Sequence, residues 1–132
     1  MRFPFDTHAA ARLLFALLWA CVTFLSLWPR EAVDANIPKD IQSFDALVHA
    51  ICYATLSASA LAAFGRRETP LRWRIAAFLA GALYGILMEC LQELPAIRRS
   101  FQWEDIACNS FGAALGALLP IFFWTRPKSV KN

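Results

Sequence analysis

Three short stretches of this sequence carry polar residues whose types suit chemistry and whose spacing gathers them. Asp45, His49 and Tyr53 recur every four residues, so on a helix they share one face. Glu89 and Gln92 form a second set, with Glu93 beside them, and Asp105 and Asn109 form a third. Arg98 and Arg99 lie between the second and third sets. An imidazole oriented by a carboxylate is a familiar general base, and a guanidinium stabilises developing negative charge. On that reading His49, Asp45 and Glu89 are the catalytic candidates. The same groups also suit binding, with guanidinium meeting an anionic headgroup and carboxylates meeting hydroxyls or amines. A metal site is the weaker match. His49, Glu89, Asp105 and Cys108 offer donor atoms, but neither H-E-x-x-H nor paired-histidine spacing occurs, so neither a metal nor a cofactor is expected.

The segments that carry these residues read as membrane spans. Of the 132 residues, 58% are hydrophobic and 17% charged, against about 45–50% and about 25% in soluble domains. Four apolar runs stand out, at about 13–28, 44–64, 73–92 and 103–124; a span needs roughly 20 residues. Ala, Leu and Phe dominate them, and none alternates like a strand. The expectation is an all-α membrane protein with four transmembrane helices, forming a single domain over residues 1–132. The first run follows Arg2 and Arg12, and Val33 and Ala35 resemble a signal-cleavage site. Its length and its end at Trp28 favour a retained span. Pro120 should kink or tighten the last turns of the fourth helix.

Basic residues set the orientation. Nine of the 13 Lys and Arg residues fall at the termini, in the 65–72 connection or next to them, and four (Arg30, Lys39, Arg98 and Arg99) fall in the other two connections. The bias places both termini in the cytoplasm and residues 29–43 and 93–102 outside. The 65–74 loop and the tail from Arg126 to Lys131 should contact anionic lipids. A net charge of +3 spread over several short connections gives no nucleic-acid patch. Cys21, Cys52, Cys90 and Cys108 fall one per helix without a C-x-x-C pair, which argues for small apolar packing residues rather than disulfides. Trp19, Trp28, Trp73, Trp103 and Trp124 read as interfacial or packing residues.

With that topology the second helix enters from outside, the third exits there and the fourth enters there. The three polar sets therefore reach one depth, within about two turns of the outer surface. Ionisable side chains in spans turn inward and find partners. Arg99 is expected near Asp105 or Glu89, and His49 is expected to bond to Asp45 or Glu89. Gly81 and Gly85, and Gly112 and Gly116, continue the same faces and permit close helix packing. A purely architectural network is the plainer reading, but membrane hydrogen bonds average only about 0.6 kcal/mol, a small return for burying several ionisable groups.

These residues resemble the VanZ-like family of bacterial integral membrane proteins. Its pattern D-K-x-x-H-x-x-x-Y is similar to Asp45, His49 and Tyr53. Its second pattern, E-x-x-Q, a loop arginine and D-x-x-x-N-x-x-G-x-x-x-G, is similar to Glu89, Gln92, Arg99, Asp105, Asn109, Gly112 and Gly116. Ala46 stands where the family usually has lysine, and the loop from Gln92 to Arg99 is one residue longer. The resemblance covers residues 44–119 and implies a multi-pass protein of the bacterial plasma membrane. It also implies a role at the cell envelope, since the family is named for low-level teicoplanin resistance.

Two functions follow as expectations. In the first, an outward-facing pocket of Asp45, His49, Tyr53, Glu89, Gln92, Arg99, Asp105 and Asn109 binds a lipid headgroup, a lipid-linked envelope precursor or a lipoglycopeptide. In the second, an intramembrane hydrolase or transferase acts on a lipid-linked substrate with His49 as general base. No nucleophile stands out, since Ser57 and Ser59 lie deeper and Ser100 sits in a loop. Membrane lipids are the expected partners, and no sequence feature identifies an oligomer interface.

Overall fold

A computed structural model describes residues 7–38, 44–65 and 71–118. They form five α-helices: α1 (Thr7–Ser26), α2 (Arg30–Asn36), α3 (Asp45–Phe64), α4 (Leu71–Gln92) and α5 (Trp103–Leu118). No strand occurs among the described residues. Three helices are long and apolar enough to cross a membrane, over His8–Ser26, Asp45–Phe64 and Leu71–Gln92. The fourth anticipated span, α5, is described to Leu118, and its expected continuation through Pro120 to Trp124 lies outside the described residues. So do Arg2, Lys39, Arg66, Arg67 and the basic tail.

Burial is inverted relative to a water-soluble bundle. Glu89, Asn109, Gln92, Ser57 and Asp105 are buried, whereas Leu13, Leu17, Phe24, Leu83 and Phe111 are each at least 60% exposed. In water such an apolar exterior would collapse or aggregate; in hydrocarbon it is the favourable outer surface, and the interior takes the polar groups. The cysteines follow the same logic, with Cys21 and Cys90 on the exposed surface and all four as free thiols.

The α3, α4 and α5 helices form the packed core, with α3 against α5 the most extensive pairing and α1 laid against α3. Small residues bring α3 and α5 together. A Cβ at Gly112 would strike the Ala50 carbonyl, and one at Gly116 the Ala54 carbonyl. Those obstacles are backbone and cannot move aside. Gly81 and Gly85 of α4 face α5, where a Cβ would lie 2.9 Å from Ala113 Cβ and 2.8 Å from Asn109 Cβ respectively. Tyr53 and Ala113 sit between the helices with Val22 of α1.

The short helix α2 falls where the sequence reading placed only a connecting loop. Its signals are local. Pro29 precedes it and supplies the carbonyl that accepts from Ala32 and Val33 at 3.0 and 3.1 Å, Glu31 occupies the first turn, and Arg30 pairs with Asp34 one turn later at 3.1 Å. Such i,i+4 pairs favour short helices. Tertiary contacts hold it in place. The Arg30 amide donates to the Ile97 carbonyl at 3.0 Å, Arg98 meets Glu31 at 2.6 Å, and Val33 and Ile97 are buried. Thus α2 and the α4–α5 connection close one end of the bundle.

Candidate functional site: a polar cleft at one end of the bundle

That closed end is where α3 begins, α4 finishes and α5 begins, so it collects the polar residues of all three. His49 of α3 is the hub. Its Nδ1 bonds to Asn109 Oδ1 of α5 at 2.9 Å, and its Nε2 lies 3.6 Å from Asp45 Oδ1 and 3.9 Å from Asp105 Oδ2. The hydrogen bond of His49 therefore goes to Asn109, not to Asp45 or Glu89 as the sequence suggested. Helical spacing placed His49 and Asp45 on one face, but an i,i+4 pair need not close to bonding distance. Glu89 Oε2 instead accepts from the Gln102 amide at 3.2 Å, and its Oε1 has no hydrogen-bond partner among the described residues.

Arg99 lies near enough to Asp105 and Glu89 to act on both carboxylates, as anticipated, but its ion pair is with Asp45, whose Oδ2 is 3.5 Å from Nη2. The connection places it there. Arg98 adopts the left-handed conformation, φ 55°, costly for a residue with a Cβ. That turn sends Arg98 outward to Glu31 and Arg99 inward, with the Arg99 amide bonded to the Gln92 carbonyl at 3.2 Å. The Arg99 side chain is 10% exposed, while that of Arg98 is 70% exposed. Two adjacent arginines thus have opposite tasks.

The remaining site residues are placed as follows. Gln92 Nε2 donates to the Ser26 carbonyl at 3.0 Å, which ties α4 to the end of α1. Tyr53 is buried with its ring 6.1 Å from that of Tyr84, and its hydroxyl has no partner among the described residues. Ser57 is buried near Gly81, and Ser59 donates to the Leu56 carbonyl. At the far end of the bundle Arg74 turns inward and donates to the Ala117 carbonyl at 3.1 Å.

Beside the hub opens a cleft of about 520 Å³, within the size range of small-molecule sites. Val22, Leu25 and Trp28 of the α1 segment and Val33 and Ile37 of the α2 segment form an apolar wall. Asp45, His49, Tyr53, Arg99 and Gln102 form the polar floor, with Arg30 at the α2 side. The sequence reading missed this wall. Trp28, Val33 and Ile37 carry no chemical motif, and Val33 and Ile37 reach the site because α2 folds back across it. Gln102 was missed for a similar reason: its contribution to Glu89 is a backbone amide, which no side-chain pattern reveals.

The VanZ/LLP1 family model matches residues 12–124. No curated protein and no solved structure matches the chain.

Proposed function

This chain belongs to the VanZ/LLP1 family, and from that premise we propose that it binds the headgroup of an amphiphile at the outer face of a bacterial plasma membrane. In this reading α1, α3, α4 and α5 are the four crossings, both termini are cytoplasmic, and the cleft opens outward. Ligands of suitable chemistry are a lipid headgroup, a lipid-linked envelope precursor or a lipoglycopeptide of the teicoplanin type. One observation carries the proposal: a cleft with an apolar wall from α1 and α2 lies against a floor of Asp45, His49 and Arg99. An acyl or other apolar portion suits the wall, and an anionic group suits Arg99, which is nearly buried and aimed inward. Glu89 steadies the floor from behind through the Gln102 amide.

Substitution of the two adjacent arginines separates this reading from a merely structural one. Arg99→Ala is expected to abolish teicoplanin protection in cells and binding of teicoplanin or anionic-lipid probes to the purified protein, at unchanged protein level. Glu89→Ala should have the same effect. Arg98→Ala should retain both activities, because its exposed pair with Glu31 is of a kind worth about 0–1 kcal/mol. Full protection and binding in both Arg99→Ala and Glu89→Ala would refute the proposal.

A further inference from the structure

The three side chains at the head of the cleft stand in a geometry that hydrogen bonding leaves unexplained. An amide oxygen only accepts, so with Asn109 Oδ1 at 2.9 Å the Nδ1 of His49 carries a hydrogen, and in the neutral ring Nε2 presents its lone pair. That lone pair faces Asp45 Oδ1 at 3.6 Å and Asp105 Oδ2 at 3.9 Å, both beyond hydrogen-bond length. Three electron-rich atoms thus converge, all within 4.8 Å of one another. Two ligand atoms bonded at about 2.0–2.2 Å to one tetrahedral zinc lie about 3.3–3.5 Å apart. The separations from Nε2 are somewhat longer, so the two carboxylates must draw in toward the imidazole to complete the set.

A second observation points the same way. Asp105 is 4% exposed, and its Oδ2, the atom aimed at His49 Nε2, has no hydrogen-bond partner among the described residues. A buried carboxylate oxygen in that state is satisfied by a cation or by a proton. The supporting contacts suit a cation. Asn109 fixes the tautomer and plane of His49, and Arg99 holds Asp45 by its other oxygen, Oδ2, leaving Oδ1 turned to the imidazole. Outer partners of this kind orient metal-binding histidines and carboxylates.

We infer that Asp45, His49 and Asp105 form a binding site for one divalent cation of the zinc or manganese type. One imidazole with two carboxylates suits these ions better than thiolate-seeking copper(I) or all-oxygen calcium sites. Asp45 and His49 line the cleft, so the open coordination positions of the ion face it. This reverses the expectation from sequence. The donor set differs too: Asp45 joins His49 of the same helix and Asp105 of α5, and neither Glu89 nor Cys108 is among the converging groups. The inference does not depend on the amphiphile reading, since cation binding is measured with no amphiphile added.

The test uses the full chain in detergent micelles, stripped with chelator, with its thiols alkylated because Cys21 and Cys90 are exposed. It is titrated with ZnCl2 or MnCl2 alone. One ion per chain is expected, and the manganese form should show coupling to a single imidazole nitrogen by electron spin-echo spectroscopy. His49→Ala and Asp105→Asn should abolish binding, Asn109→Ala should weaken it about 10–100-fold, and Glu93→Gln should leave it unchanged. Absence of binding by the wild-type chain overturns the inference, as does bound manganese without nitrogen coupling. Those two readouts stand whether or not the variants fold. Undiminished affinity in an Asp105→Asn protein of normal helicity overturns it as well.

Discussion

At the residue scale, the interior is organised by a few long-range hydrogen bonds whose individual strengths are small. Thr23 Oγ1 of α1 and Tyr84 OH of α4 are 2.5 Å apart, and Gln92 Nε2 reaches the Ser26 carbonyl. These bonds matter because α1 and α4 share few other contacts. A double-mutant cycle of Thr23→Val and Tyr84→Phe, read as unfolding free energy in detergent, should give a coupling of about 0.6 kcal/mol, the average for bonds between membrane helices. A coupling indistinguishable from zero would mean that this bond contributes nothing to holding α1 on the bundle. Polar residues also differ in role despite similar burial. Gln92 ties helices together, whereas Asp105 and His49 face each other without closing a bond. That contrast separates a structural link from a site.

At the element scale, the α3–α5 contact sets how closely the polar residues converge. Gly112 and Gly116 let α5 lie against the backbone of α3 at Ala50 and Ala54, the residues that immediately follow His49 and Tyr53. Gly112→Ala and Gly116→Ala should each lower stability by at least about 1–3 kcal/mol, the usual cost of overfilling a packed interior. Ala107→Leu, on the exposed side of α5, should change it little. Detergent-resistant thermal unfolding checks both. Equal stability in all three variants would contradict the close approach.

Much of this architecture was legible in the sequence. Apolar runs located α1, α3, α4 and α5, and four-residue spacing put Asp45 with His49 and Asp105 with Asn109. Three things were not legible. Spacing gives depth along a helix but not the rotation of one helix about another, so Asn109 could not be told from Glu89 as the partner of His49. The inward turn of Arg99 depends on the left-handed backbone of Arg98, which a sequence does not display for a residue other than glycine. And α2 is too short for a search tuned to membrane-length runs, although Pro29, Glu31 and the Arg30–Asp34 pair mark it.

At the scale of the whole molecule, the apolar exterior and polar interior make sense together. Helices with leucine and phenylalanine outward stand in lipid without a soluble core, and the space between them is free for glutamate, asparagine and aspartate. The closed end built by α2 and the Ile97–Arg99 turn then converts a bundle of spans into a cleft. Both the amphiphile reading and the cation site require that residues from separate crossings meet inside the bundle at that end. The most direct test pairs His49→Cys with Asn109→Cys in a chain whose native cysteines are serine, with a protease site introduced between α3 and α4. Oxidation or a short thiol cross-linker in native membranes should hold the two halves together after cleavage. Separation of the halves, while Glu31→Cys with Arg98→Cys still links across the closed end in a chain with its protease site after α2, would contradict the convergence on which the site depends.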